Sequence, residues 1–334
     1  MDILENLFSI KSPVNNEIKI PINVDEKDDI YNKLKTATDI RNYYDENGYV
    51  VLRNLIPSEL CEQAHSFFQT EVKPYNGYLY RQASGNPEQH IFTYHNYMLN
   101  SLLNIQDLST HRFPNFKKLG LSILTHKNVH EAVCTIFGES AKIIQTMYFE
   151  GNPATWAHQD TYYLDSSELG RMTAAWVAVE DIQPGAGRFY IYPGSHKIDI
   201  SQNGGDFDIA FNHLRYKQLV LDIINKYQLE CRAPALRKGD VLFWNAKTIH
   251  GSLETSQPQY SRSSLTAHYI PASTQHLQYQ RQIRSRNLKQ IASFQVEHPK
   301  EQDKLKNQII LYLETHFPQQ FQQLKRIMIK AILK

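Results

Sequence analysis

Cysteine is scarce in this chain of 334 residues. The three present, Cys61, Cys134 and Cys231, lie far apart and form neither a CxxC pair nor an even framework. A disulfide-stapled fold is therefore excluded and a reducing compartment is expected. Long apolar runs are missing too. No stretch approaches the roughly 18 uncharged apolar residues of a membrane span, so an integral membrane protein is not expected. The start, Met1-Asp2-Ile3-Leu4-Glu5, is acidic and has no basic segment leading into an apolar run, so no signal peptide is read and a cytoplasmic location is the expectation. The net charge is only +2, which gives no global electrostatic case for nucleic acid. What remains is a globular composition, 41% hydrophobic and 21% charged, long enough for one large domain or two small ones. The 20 tyrosines either line a wide polar-aromatic cavity or serve interfacial packing.

Residues 1–38 are polar, with Pro13, Pro21 and an acidic run at 25–29, and read as a leader arm that packs on the body or frays. Asn47-Gly48 marks a turn and Tyr49–Leu52 a strand, after which Ser58 is expected to cap a helix. Residues 72–112 form a long aromatic loop containing Tyr75, Tyr78, Tyr80, Tyr94 and Tyr97, read either as a substrate lid or as surface packing. Two short helices are expected over 113–138. From Lys142 the pattern turns to short strands broken by Pro and Gly: 143–149, 156–163, 173–179, 188–192, 241–244 and 262–270. A loop and a helix at 197–231 interrupt them. Many short strands with turn signals predict a sandwich or barrel. Residues 272–334 carry 12 Gln and 11 Lys or Arg against 4 Asp or Glu, which leaves about −5 for residues 1–271. This extension reads as helices, with Phe321, Leu324, Ile327, Met328, Ala331 and Ile332 on one stripe. The stripe either docks on the barrel or makes weak peripheral contact with an anionic membrane surface or an acidic partner.

The triplet His158-Gln159-Asp160 places an imidazole and a carboxylate two residues apart, on one face of a strand. His250, from a distant strand, would complete two imidazoles and one carboxylate. That set suits non-heme Fe(II) and leaves positions open for cosubstrate and O2. Arg262 follows one hairpin later and offers a planar fork of donors for a carboxylate. Alternation adds Trp156 and Tyr162 to the face of the His-x-Asp pair, and Ser264, Thr266 and His268 to the face of Arg262. Trp156, Tyr162, His268 and, from the aromatic loop, Tyr97 are candidate substrate contacts. A polar face beside the metal predicts that the barrel interior is a site rather than a filled core.

Several stretches carry a specific resemblance. They are GYVVLR at 48–53, WAHQD at 156–160, AAWVAVEDIQPGAGRFYIYPGSHK at 174–197, KGDVLFWNAKTIHGS at 238–252 and SRSSLTAHYIP at 261–271. In order and spacing the chain resembles the phytanoyl-CoA dioxygenase family of Fe(II)/2-oxoglutarate oxygenases over residues 40–271. The resemblance implies an all-β core, a double-stranded β-helix (jelly-roll, cupin-like) barrel with flanking helices. The domain is then expected at 39–271 with an insertion at 197–231, followed by a helical, basic extension at 272–334 packed on the barrel. It further implies iron ligands at His158, Asp160 and His250, a 2-oxoglutarate anchor at Arg262, a cosubstrate hydroxyl at Ser252, and Trp176 and Gln145 near the cosubstrate. The chain departs from the family at Phe149-Glu150, where a Lys is usual, and at Ala186-Gly187-Arg188, where Asn-Gly is usual. Asp160 stands where halogenases of the family carry a small residue, so hydroxylation of a small metabolite, with release of succinate and CO2, is expected. Desaturation, cyclisation, a zinc or manganese cupin-like enzyme and a non-catalytic metabolite-binding barrel stay open. Partners are a small-molecule substrate and, for a homodimer rather than a monomer, a second copy.

Overall fold

A computed structural model describes residues 6–24, 33–201, 204–205, 212–280, 282–284, 287–321 and 323. The strands that matter here are β1 (Leu7–Lys11), β2 (Glu17–Pro21), β3 (Tyr49–Leu52), β4 (Ala141–Phe149), β5 (Leu164–Ser166), β6 (Thr173–Ala178) and β7 (Phe189–Ile191). They continue with β8 (Val241–Asn245), β9 (His250–Ser252), β10 (Ser264–Pro271), β11 (His276–Gln278), β12 (Gln282–Arg284), β13 (Leu288–Ile291) and β14 (Phe294–Glu297). The helices are α1 (Ala37–Asn47), α2 (Ser58–Phe67), α3 (Pro114–Leu124), α4 (Lys127–Phe137), α5 (His213–Lys226) and α6 (Leu305–His316).

The large sheet runs β13-β14-β4-β10-β6-β8-β3, with Leu102–Leu103 paired to β4. Period-two alternation divides its faces. Val50, Val177, Phe243, Leu265 and Tyr269 join one core with Phe116, Val129 and Val133 from α3 and α4. Tyr49, Val51, Trp176, Leu242 and Trp244 point the other way, onto Phe189 and Ile191 of the facing sheet, where β7 pairs with β9. Two β-sheets with helices on one outer face make the cupin-like, β-rich architecture expected from the sequence. A bulge at Ile144 of β4 shifts the register between His268 and Tyr269. It lies beyond Arg262 and Thr266, so the face they share keeps its alternation.

Local chemistry sets the element ends. Thr36 and Asp39 form a capping box on α1, and Gly48 closes that helix at φ +74°. A Cβ at Gly48 would also meet His196 and Thr248 at under 3 Å, so only glycine fits. Ser58 is the first residue of α2 and makes no capping bond; Pro57 stands at the cap.

Two expectations need correction. The stretch 156–163 is not one strand: only His158 pairs, and Asp160–Tyr162 is a 3-10 turn. The extension is not helical throughout. β11, β12, β13 and β14 precede α6, because β5 and β4 offer open edges to pair with. Part of the leader forms the β1–β2 hairpin, with Ile20 buried. Arg188, one of the departures from the family, holds the end of that hairpin by donating to the carbonyls of Pro21 and Ile22. Of the C-terminal stripe, Leu324 to Ile332 lie outside the described residues. No helix among the described residues is long and apolar enough to cross a membrane.

The other departure, Glu150, ends β4 with its carboxylate buried. It accepts from Gln69 Nε2 at 2.6 Å, Lys73 Nζ at 2.7 Å and the Met98 N–H at 2.6 Å, tying the helical and aromatic-loop segments to the sheet. Glu150→Ala strands the half-buried Lys73 ammonium and the Met98 amide. A loss of about 3–5 kcal/mol is expected, read as a shift of the urea unfolding midpoint, and Glu150→Gln loses less.

Candidate metal centre

His158 and His250 exchange backbone hydrogen bonds in both directions, each 3.0 Å. Such a reciprocal antiparallel pair projects both side chains to one face, and the rings stand 4.4 Å apart. Each ring is turned by the same device. His158 Nδ1 lies 2.8 Å from the Trp156 carbonyl and His250 Nδ1 lies 2.9 Å from the Thr248 carbonyl. A carbonyl only accepts, so Nδ1 carries the proton and Nε2 keeps its lone pair for a metal. Gln159, between the two donors, is pinned from the insertion: its N–H donates to Tyr216 Oη of α5 at 2.8 Å.

Asp160 opens the 3-10 turn beneath these rings. Its Oδ1 is 3.4 Å from His158 Nε2 and 3.6 Å from His250 Nε2. Ligand atoms of the three residues all lie within 4.8 Å of one another. Its Oδ2 accepts from Trp244 Nε1–H at 2.9 Å and faces His268 Nε2 at 3.6 Å. The register explains how both reach it. Ala174 lies between Trp244 and His268 across the sheet, and its small side chain leaves room for the larger ones on either flank. Burial opposes ionisation of Asp160, but the imidazoles around it outweigh that and hold its carboxyl well below the usual range. Burial pushes His250 down to about 4, so it is neutral at pH 7 and able to ligate.

A cavity of about 70 Å3 adjoins the three donors. Arg262 lines it, 3% exposed, with Cζ 5.6 Å from the Phe149 ring and 6.0 Å from the Trp176 ring. Burial lowers its pKa to about 10, which leaves it cationic at pH 7. Its Nε has no hydrogen-bond partner, and no carboxylate lies within ion-pair distance of it among the described residues. A buried cation without a counter-charge is costly, and a bound carboxylate removes the cost. The donor set therefore fits iron, and the orphaned guanidinium fits a keto-dicarboxylate.

The other expected residues divide. Trp176 and Ser252 line the same cavity. The Ser252 hydroxyl, however, donates to Asn152 Oδ1 at 2.9 Å and accepts from the Thr155 N–H at 2.7 Å, so its proton is already committed. His268 lines both that cavity and a larger outer cleft of about 650 Å3, which Trp156 and Gln145, opposite His268 in the sheet, also line. Tyr162 turns away and packs on Tyr216, ring centroids 5.0 Å apart. Residues three apart in a 3-10 turn eclipse, so Tyr163 follows Asp160 to the cleft instead. Tyr97 reaches neither space; its hydroxyl donates to the Gln259 carbonyl. Two residues were missed as site residues. Thr266 lines the inner cavity with a buried Oγ1 that has no partner, and its place two residues before His268 was the available signal. Trp244 had no signal in the sequence, because its partner is 84 residues away.

The phytanoyl-CoA dioxygenase family model matches residues 44–264. The chain belongs to that family. It is thus a 2-oxoglutarate-dependent non-heme iron dioxygenase. Human peroxisomal phytanoyl-CoA dioxygenase is 23% identical over 249 residues, 70% of this chain and 68% of that protein. Two solved structures share the fold. A non-heme alpha ketoglutarate dependent carbocyclase, SnoK from nogalamycin biosynthesis, has a TM-score of 0.52 at 16% identity, covering 72% of this chain and 88% of that one. The epimerase SnoN in complex with Fe3+, alpha ketoglutarate and nogalamycin RO also has a TM-score of 0.52, at 18% identity, covering 73% and 86%.

Trp244→Phe removes the only indole donor to Asp160 while keeping the ring. The expected result is Fe(II) binding weakened by about 10- to 100-fold in anaerobic titration, with an unchanged circular dichroism spectrum.

Proposed function

We propose that this chain hydroxylates an unactivated carbon of a small polar metabolite, with His158, Asp160 and His250 holding Fe(II) and Arg262 holding the far carboxylate of 2-oxoglutarate. The observation that carries this is the partnerless guanidinium of Arg262, which lines the same cavity as the three donors. Bound iron and 2-oxoglutarate supply O2 activation, with decarboxylation to succinate and CO2, and the oxidising power for a C–H bond.

The residues do the rest. Asp160 offers Oδ1 as ligand, while Trp244 keeps Oδ2 from swinging in to replace it. Arg262 orients the cosubstrate by a two-pronged ion pair, closed in by Trp176 and Phe149. Thr266 Oγ1 is a buried, partnerless hydroxyl of that cavity and takes the role expected of Ser252, whose hydroxyl is held by Asn152. The rings of Phe149, Trp176, Phe189 and Trp244 line the cavity and would limit water there once it is filled. The outer cleft opens on the same donors, with Trp156 against His158 at 5.3 Å, and receives the substrate. Asp160 fills the ligand position that chlorination would require open, which supports hydroxylation.

With a substrate found by screening, Asp160→Ala abolishes succinate release without added chloride; full turnover in that variant refutes the ligand assignment. Arg262→Lys keeps a charge but loses the planar fork. Its KM for 2-oxoglutarate rises by about 10- to 100-fold, while Fe(II) binding measured without cosubstrate stays as in the wild type.

A further inference from the structure

The family match ends at residue 264, yet one wall of the outer cleft comes from beyond it. β11 pairs antiparallel with β5, His276 opposite Ser166 and Gln278 opposite Leu164. β5 follows the turn that carries Asp160, so this pairing fixes the extension against the segment holding the metal centre. By period two His276 and Gln278 share a side, and both line the cleft together with His158, Asp160 and His268.

His276 is 7% exposed, and its Nδ1 lies 2.9 Å from Oε2 of Glu297, itself buried at the end of β14. The carboxylate accepts the Nδ1 proton, which turns the ring and leaves Nε2 as an acceptor. No residue among those described takes that Nε2 in a hydrogen bond. A ring turned by an acceptor on Nδ1 is also how His158 and His250 are oriented, and here it lines the outer cleft together with His158 and Asp160.

We propose that His276, oriented by Glu297, selects the substrate: its Nε2 accepts a hydrogen bond from a hydroxyl of a neutral, multiply hydroxylated small molecule seated in the outer cleft. This rests on the oxygenase reading above. The rest of the cleft agrees with that class. Gln145, Gln278, Asn104 and Tyr163 present amide and phenol groups along it. A coenzyme A thioester would need cations for its phosphates. Among the described residues, the one Lys or Arg of the cleft lining, Lys300, instead covers the Tyr80 ring at 3.8 Å and lies 3.4 Å from Glu314.

The test screens the full chain, loaded with Fe(II) and 2-oxoglutarate, for succinate release with a panel of sugars, glycosides, polyols and acyl-CoA thioesters. Stimulation by hydroxylated members is expected. With the best of them, His276→Phe raises KM about tenfold or more and changes kcat less, and Glu297→Gln raises KM by a smaller factor. His276→Gln, which restores an acceptor, recovers part of the loss. The anaerobic charge-transfer band of Fe(II) with 2-oxoglutarate is recorded for every variant. Stimulation by thioesters alone or by no member of the panel overturns the assignment. So does an unchanged KM in His276→Phe when its band matches the wild type. If the Phe variant loses the band, the KM values of His276→Gln and Glu297→Gln decide. A wild type without the band fails the oxygenase reading itself and takes this assignment with it, so the two failures are told apart.

Discussion

The reciprocal backbone pair between His158 and His250 is the constraint on which the site depends. It is a single rung, since His158 lies in no strand of its own. Neighbours on both sides hold it. Tyr216 accepts from the Gln159 N–H, and Ser195 Oγ accepts from the Ile249 N–H at 2.8 Å. The helix inserted at 213–226 and the turn at 195–197 therefore act on the metal donors through backbone hydrogen bonds. Those bonds lie in a buried, low-dielectric setting, where a missing partner costs more than a formed bond gains. A change in the insertion is felt at the donors although no described residue of the insertion belongs to the ligand set.

The sequence made the site legible where period two held. Along 262–269 the division of Arg262, Thr266 and His268 from Leu265, Ala267 and Tyr269 is visible in the residues alone, and the fold uses it as read. It failed where the period changed. Asp160–Tyr162 is a 3-10 turn, so the alternation that found His158 and Asp160 went on to name Tyr162 in place of Tyr163. The extension was misread for another reason. Its Gln, Lys and Arg content favours helix, but β11 gains its ladder from β5 and β14 from β4, and strand propensity is set by such partners more than by composition. Trp244 and Glu297 act on residues 84 and 21 positions away, and no local pattern announces a contact of that kind.

The two faces of the large sheet also differ in how well their polar atoms are satisfied. The helix-side face is mostly apolar, with the Tyr148 hydroxyl a buried exception. On the other face Arg262 Nε, Thr266 Oγ1 and His268 Nδ1 are buried without partners. Each such group costs on the order of 1–3 kcal/mol, in a protein family of folds whose net stability is only about 5–15 kcal/mol. Three within seven residues, all lining one cavity, concentrate that cost at the site. The cost is recovered when a ligand supplies the missing partners.

That places ligand binding inside the stability of the fold. A ligand that binds only the folded chain stabilises it by RT ln(1 + [L]/Kd), about 2.7 kcal/mol at a hundredfold excess over Kd. The cavity beside the donors is small and lined by aromatic rings, so it cannot hydrate Arg262 as bulk water would. The guanidinium thus acts in two ways. It makes the empty chain less stable than its core alone would allow, and it makes the loaded chain specific for a carboxylate, because a neutral ligand of the same shape would leave the charge unpaired. Selectivity for the acid and the instability of the free form are two consequences of one buried charge.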